Sequence, residues 1–311
     1  MPTVDKAGVR ERLLAARRNV ADTVRADETE LLCAQLEPHV NEADTVCAYV
    51  PVGTEPGSIA LLDMLLRRAR LLGGAPQAIN VIQRPGRQSS LDASIALHQA
   101  GIEPAWHLVT RGRSRAEIEG DLRAAATAGI DQVLCILGDH AGTAGPDRPT
   151  IREAIAMTRA RIPGAFIGAT LNQYGRDPEA VIRNLVPKLL AGASYIQTQP
   201  VFELSALEGY AAAIAREAPE TRIIAMAMPL LSEEAAERIE ERLGVRLPDS
   251  LRELLATGDD ALAWDAFRAT LEQLVAAPFV AGVAIMTFEG DAPPETGERI
   301  LAALRSAGAI D

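Results

Sequence analysis

The segment FIGATLNQYGRDPEAVIRNLVPKLLAGASYIQTQPVFE, residues 166–203, restricts the fold more than any other part of the chain. Two short runs rich in apolar and β-branched residues, 166–171 and 195–199, bracket a stretch where Val181, Leu185, Leu189 and Leu190 recur at helical spacing. Gly192 stands where such a helix stops. Strand, helix and second strand form one βαβ unit, which requires a parallel sheet. The second strand ends in Gln197, Thr198 and Gln199, followed by Pro200, Phe202 and Glu203. The C-terminal ends of parallel strands are where α/β folds place their ligands.

The same alternation runs through most of the chain. Strands are expected at 45–52, 78–82, 104–109, 132–137, 166–171, 195–199, 222–228 and 281–286. Helices are expected near 91–100, 115–128, 151–161, 206–217 and 298–306, with several segments between 232 and 276. Ahead of them, 5–19 and 22–38 read as two charged amphipathic helices. Eight βα repeats admit an open doubly wound sheet or a closed barrel, and the length spanned matches a (β/α)8 TIM barrel. Two separate α/β domains would need a linker, and no Gly/Pro-rich stretch is long enough to be one. The expectation is therefore a helical extension over 1–44 and a barrel over 45–311.

Composition narrows the partners. Hydrophobic residues make up 48% of the chain and aromatics only 4%, so the core must be built from Ala, Leu, Ile and Val. A net charge of −11 argues against nucleic acid or an anionic membrane as partner. No apolar run reaches the length of a membrane span, and the N-terminus lacks a signal-peptide pattern. Cys33, Cys47 and Cys135 lie far apart without CxxC spacing, which reads as reduced thiols in a cytoplasmic protein. A small-molecule ligand is expected, and a homo-oligomer stays open.

In a barrel the polar residues at strand ends share one mouth. Here they are Thr54 and Glu55, Gln83 and Arg84, His107, Gly138 with Asp139 and His140, Thr170 and Asn172, Thr198 and Gln199 with Glu203, and Thr287 with Glu289. The loop LGDHAGTAGPD at 137–147 is the most site-like, because its glycines expose backbone N–H groups and Asp139 adds a carboxylate. His107 reads equally as a core histidine or a site residue. No His, Asp or Glu pair has i, i+4 ligand spacing, so no metal is expected. Lys188, the only lysine in the later two-thirds, reads on spacing alone as a surface residue. Arg111, Arg113 and Arg115 form a solvated turn or a grip for a phosphate or carboxylate tail.

AGASYIQTQPVFE, preceded by IGATLN and followed by MPLLSEEAAERIEERLGVRLPDSLRELL, resembles the methylenetetrahydrofolate reductase family, most closely its short single-domain branch. GIEPAWHLVTRGRSRAEIEGDLRAAATAGIDQVLCILGD is similar to that family's third and fourth strands, and the resemblance runs from about residue 78 to 311. It implies a barrel in which FAD carries hydride from NADH or NADPH to 5,10-methylenetetrahydrofolate, giving 5-methyltetrahydrofolate; direct use of the nicotinamide is the alternative. It also implies roles. His107, Gly138, Asp139, Asn172 and Lys188 would hold the cofactor, and Asp139, Gln199 and Phe202 the folate.

Residues 6–72 resemble instead the N-terminal part of 5-formyltetrahydrofolate cyclo-ligase, in which the glutamate matching Glu55 contacts substrate. That enzyme's glycine-rich nucleotide and catalytic stretches are absent downstream, so the segment is expected to supply the first βα unit of the barrel. The reductase family carries a proton-donating glutamate on strand one, where this chain has Ala48 or Tyr49. Glu55 is the nearest replacement, and with Asp139 it makes up the expected catalytic pair. A folate- or flavin-binding barrel without reductase activity is the rival expectation.

Overall fold

The computed structural model describes residues 77–82, 89–138, 147–286 and 296–310. The expected helices at 5–19 and 22–38, the strand at 45–52, and Glu55, Gln83, Arg84, Asp139, His140, Thr287 and Glu289 lie outside the described residues, as does the division at residue 44.

Seven strands and nine helices occur among the described residues. In chain order they are β1 (Ile79–Val81), α1 (Ser90–Gln99), β2 (Pro104–Val109), α2 (Arg115–Ala128), β3 (Gln132–Ile136), α3 (Ile151–Arg161), β4 (Phe166–Leu171) and α4 (Pro178–Leu190). Then come β5 (Tyr195–Pro200), α5 (Ser205–Glu217), β6 (Arg222–Ala227), α6 (Glu233–Leu243), α7 (Asp249–Ala256), α8 (Asp260–Ala276), β7 (Gly282–Ile285) and α9 (Thr296–Ser306). Each strand pairs in parallel with the next, so the sheet order is the chain order. A doubly wound sheet reverses its strand order at a switch point. This one never does, and sequential parallel winding is the topology of the TIM barrel.

Alternation along the strands separates two environments. Val133 and Cys135 of β3, Ile167 and Ala169 of β4, Ile196 of β5 and Ile223 of β6 pack against Ile118, Leu122, Ile155, Leu185 and Ile214 of the helices. Their neighbours in sequence, among them His107, Leu134, Gly168, Tyr195 and Gln197, therefore face the inside of the curled sheet. The lower interior is filled: Phe166 stacks on Tyr195 at 4.6 Å between ring centroids, and the Arg222 guanidinium lies over Phe166. Gly168 makes this packing feasible, because a Cβ there would sit 2.2 Å from Cζ of Tyr195.

Local signals set the helix ends. Ser114 opens α2 and Thr150 opens α3 with reciprocal capping boxes to Glu117 and Glu153. Hydrogen bonds from the Thr150 side chain and backbone hold the Glu153 carboxyl down at about 2. Between β6 and β7 the chain inserts α6 and α7 ahead of α8. With Met228, Leu230 and Leu247 they form a separate apolar cluster. Tyr174, Phe202 and Met286, from three different strand ends, pack against it.

Candidate functional site

The described part of the site lies at the C-terminal ends of β1 to β5. His107, near the end of β2, is buried, and its Nε2 lies 3.1 Å from Oδ1 of Asn80 on β1. Nδ1 of the same ring is buried without a partner among the described residues. Burial alone pulls its pKa from 6.5 to about 4. The imidazole is therefore neutral at pH 7; with Nε2–H donating to Asn80, Nδ1 is an unused acceptor. Its strand is fixed from behind: the Ser90 hydroxyl donates to the His107 carbonyl at 3.0 Å, and the Trp106 indole N–H donates to Ser90 at 3.1 Å.

Gly138, two residues past the end of β3, has φ +88°, a left-handed backbone that favours glycine. A Cβ there would also meet Cγ1 of Val109 at 2.5 Å. The glycine before Asp139 is thus demanded by the packing of two strand ends. Beside it, the Arg111 backbone N–H donates to the Leu137 carbonyl at 2.9 Å. Arg113 pairs with Asp121 and Arg115 with Glu153, each at 2.8 Å. Arg111 is the member of this cluster with no acidic partner among the described residues.

On β4 and β5 the mouth is built by an exchange of hydrogen bonds. Between β5 and β6 the register runs Gln197 to Ile224 and then Pro200 to Met226, one residue too many on β5. Such a bulge takes backbone groups off the ladder. Thr198 repairs one loss, its Oγ1 accepting from the Met226 N–H at 2.9 Å. Gln173, only 6% exposed, bonds the backbone beside it. Its Oε1 accepts from the Gln199 N–H at 3.0 Å, and its Nε2 donates to the Gln199 carbonyl at 2.9 Å and the Pro200 carbonyl at 3.3 Å. The Tyr174 hydroxyl adds a 2.7 Å bond to the Pro200 carbonyl.

The remaining expected residues have distinct settings. The Gln197 side chain is buried and the Gln199 side chain half-buried, and neither has a hydrogen-bond partner among the described residues. Asn172 is exposed, and its Oδ1 accepts from the Tyr174 N–H at 3.1 Å in a local turn. Phe202 packs with Tyr174 in the apolar cluster beside the mouth. Lys188 is on the α4 face that carries Leu185 and Leu189, and its ammonium donates to the Thr170 carbonyl at 2.8 Å. Burial lowers its pKa. It is not the freely solvated residue that spacing alone suggested. Gln173 was missed in the sequence. It stands in a turn between Asn172 and Tyr174, and only the bulge opposite gives its amide a purpose.

Among the described residues no three His, Cys, Asp or Glu side chains gather as a metal site, and no helix is long and apolar enough to cross a membrane. Cys135 is a buried thiol, pushed up to about 12 by burial.

Residues 48–289 match the family model of methylenetetrahydrofolate reductase. The chain belongs to the methylenetetrahydrofolate reductase family. The match starts at Ala48, well before the motifs from residue 78 onward that suggested it. Residues 2–77 match the 5-formyltetrahydrofolate cyclo-ligase family. Over 61 residues the chain is 54% identical to the 5-formyltetrahydrofolate cyclo-ligase of Mycolicibacterium smegmatis, a stretch covering 20% of this chain and 31% of that enzyme. The chain thus spans under a third of that relative's length. Among solved structures, a protein of Clostridium thermocellum that binds two copies of 5-methyl-5,6,7,8-tetrahydrofolic acid aligns with a TM-score of 0.57 at 14% identity. The alignment covers 88% of this chain and 97% of that one. At that identity the likeness is one of fold, and it agrees with the barrel topology of the reductase family.

Proposed function

We propose that this reductase-family barrel binds a reduced folate at its C-terminal mouth and reduces 5,10-methylenetetrahydrofolate to 5-methyltetrahydrofolate with NADH or NADPH. The observation that supports it most is the polar upper interior. Among the described residues His107 Nδ1 is buried with no partner, and the Gln197 and Gln199 amides have none either. Buried polar groups are normally satisfied, and an open acceptor at His107 with two glutamine amides at the strand ends suits a ligand rich in ring nitrogens and amides. Gln199 would hydrogen-bond the pterin, with Phe202 beside it.

The family's flavin suits the same residues. His107 offers an acceptor for a ring N–H. Lys188, two of whose N–H donors have no partner among the described residues, and Arg111, without an acidic partner among them, are cations for a diphosphate. When bound, FAD supplies a two-electron relay between nicotinamide and folate. The protein must deliver a proton to a folate nitrogen, so that the bridging ring opens and the methylene carbon can accept hydride. Overall the substrate gains one hydride and one proton, and NAD(P)H becomes NAD(P)+. His107, neutral at pH 7, does not carry that proton. Ala48 and Tyr49 supply no carboxylate, and the role is assigned here to Glu55, with Asp139 as its partner in the expected catalytic pair. Glu55→Gln is expected to lower turnover by about 10²–10⁴-fold with cofactor affinity unchanged. Equal turnover would remove Glu55 from the reaction.

The missing carboxylate at 48 and 49 also favours a second reading, a barrel that binds folate or flavin without reducing it. Two measurements on the purified chain separate the readings. Absorbance near about 450 nm reports oxidised flavin, and titration with 5-methyltetrahydrofolate reports the folate site. Flavin and folate together support the reductase. Folate bound without flavin or turnover supports the second reading, and neither bound overturns both.

A further inference from the structure

The Gln173 side chain uses all its usual hydrogen-bonding capacity on a strand that is not its own. One acceptor and two donor contacts go to the backbone of Gln199 and Pro200. Those groups lie at the register shift of β5 against β6. The amide thus takes the place of a neighbouring strand across the bulge, presenting acceptor to N–H and donor to carbonyl. It is held in turn, because the Tyr210 hydroxyl donates to the Gln173 carbonyl at 3.4 Å. Near-complete burial means that water cannot replace these bonds if the amide is lost.

We propose that Gln173 is a positioning residue for folate. By fixing the main chain of Gln199 it sets the direction in which that side chain meets the pterin. The inference rests on the folate reading above. A half-buried amide on an unrestrained bulge would sample several orientations, and an ordered one has already lost that freedom before ligand arrives. Chemistry at position 173 then tunes folate affinity without touching folate. Glutamate there would keep the bond from the Gln199 N–H but set a carboxylate oxygen against two carbonyls. Methionine, of near-equal length, would remove all three bonds without adding charge.

The test is a double-mutant cycle on the whole protein, titrated with 5-methyltetrahydrofolate, using Gln173→Glu, Gln173→Met and Gln199→Ala. Each Gln173 variant is expected to weaken folate binding by about 10–100-fold. In the Gln199→Ala background the same changes are expected to cost less than about threefold, because the positioned group is gone. Amide exchange at Gln199 is expected to speed up in Gln173→Met, which loses the bond from that N–H, without any ligand, and this tests the clamp independently of folate. Wild-type folate affinity in a folded Gln173→Met protein overturns the inference and leaves the folate reading standing. Equal losses with and without Gln199 also overturn it, because Gln173 would then act through general stability. A wild-type chain that does not bind 5-methyltetrahydrofolate overturns the folate reading and this inference together.

Discussion

Two desolvated ionisable residues, Lys188 and His107, show what burial costs a charged group. Lys188 has a desolvated ammonium with one carbonyl partner, which by itself is poor compensation for burial. Lys188→Met is expected to leave the unliganded protein as stable or slightly more so, and to weaken flavin binding by about 1.5–3 kcal/mol. Parallel urea melts and flavin titrations check both halves, and undiminished flavin affinity would leave the lysine a purely structural role. His107 acts on stability through pH. Its folded pKa, about 4, lies below the 6.5 of the free side chain, so the unfolded chain binds a proton first as pH falls. The neutral form costs nothing above 6.5; between 6.5 and 4 the folded state loses up to about 1.4 kcal/mol per pH unit, and nothing further below that. His107→Gln is expected to flatten the urea midpoint between pH 7 and pH 5 relative to wild type. Equal slopes would mean that the imidazole titrates as in water. His107 was legible in the sequence as a strand-end residue, but its neutrality was not, because that follows from burial beside Asn80.

The βαβ unit over 166–203 was legible nearly residue by residue. Phe166–Leu171 falls where β-branched and apolar residues predict it, and α4 ends ahead of Gly192. The strand at 195–199 runs one residue further, to Pro200, because the bulge lets a residue without an N–H sit opposite Met226. Alternation of apolar and polar residues signals a strand but not a slip of register within it. Hence Gln197 and Gln199 were visible as polar strand-end residues, while Gln173 was not. Thr198 carries the bulge's repair to β6, and Thr198→Val, equal in shape, would leave the half-buried Met226 N–H without that partner. A loss of about 1–3 kcal/mol in urea unfolding is expected. A loss within about 0.5 kcal/mol would show that the bulge is held by its other bonds alone.

At the scale of the molecule, both ends of the described sheet call for another strand. β1 pairs only with β2, and β7 only with β6, among the described residues. A closed barrel leaves no such edges. Residues 48–77 fall within both family matches, so one stretch carries the marks of a cyclo-ligase and of a reductase barrel. The strand that the sequence predicts at 45–52 would close such a barrel, and it lies outside the described residues. In hydrogen exchange on the full chain its amides are expected to be as protected as those of Pro104–Val109. Rapid exchange there would leave the barrel open. The repeating alternation made the fold class readable, because every βα unit states it again. The reaction was less readable, since the proposed donor, Glu55, belongs to a stretch whose sequence resembles a different family. The account therefore rests on turnover. The purified chain, supplied with FAD, NADH or NADPH and 5,10-methylenetetrahydrofolate, is expected to oxidise one nicotinamide for each 5-methyltetrahydrofolate formed. No 5-methyltetrahydrofolate above the enzyme-free control, in a protein that still binds that compound, would contradict the account.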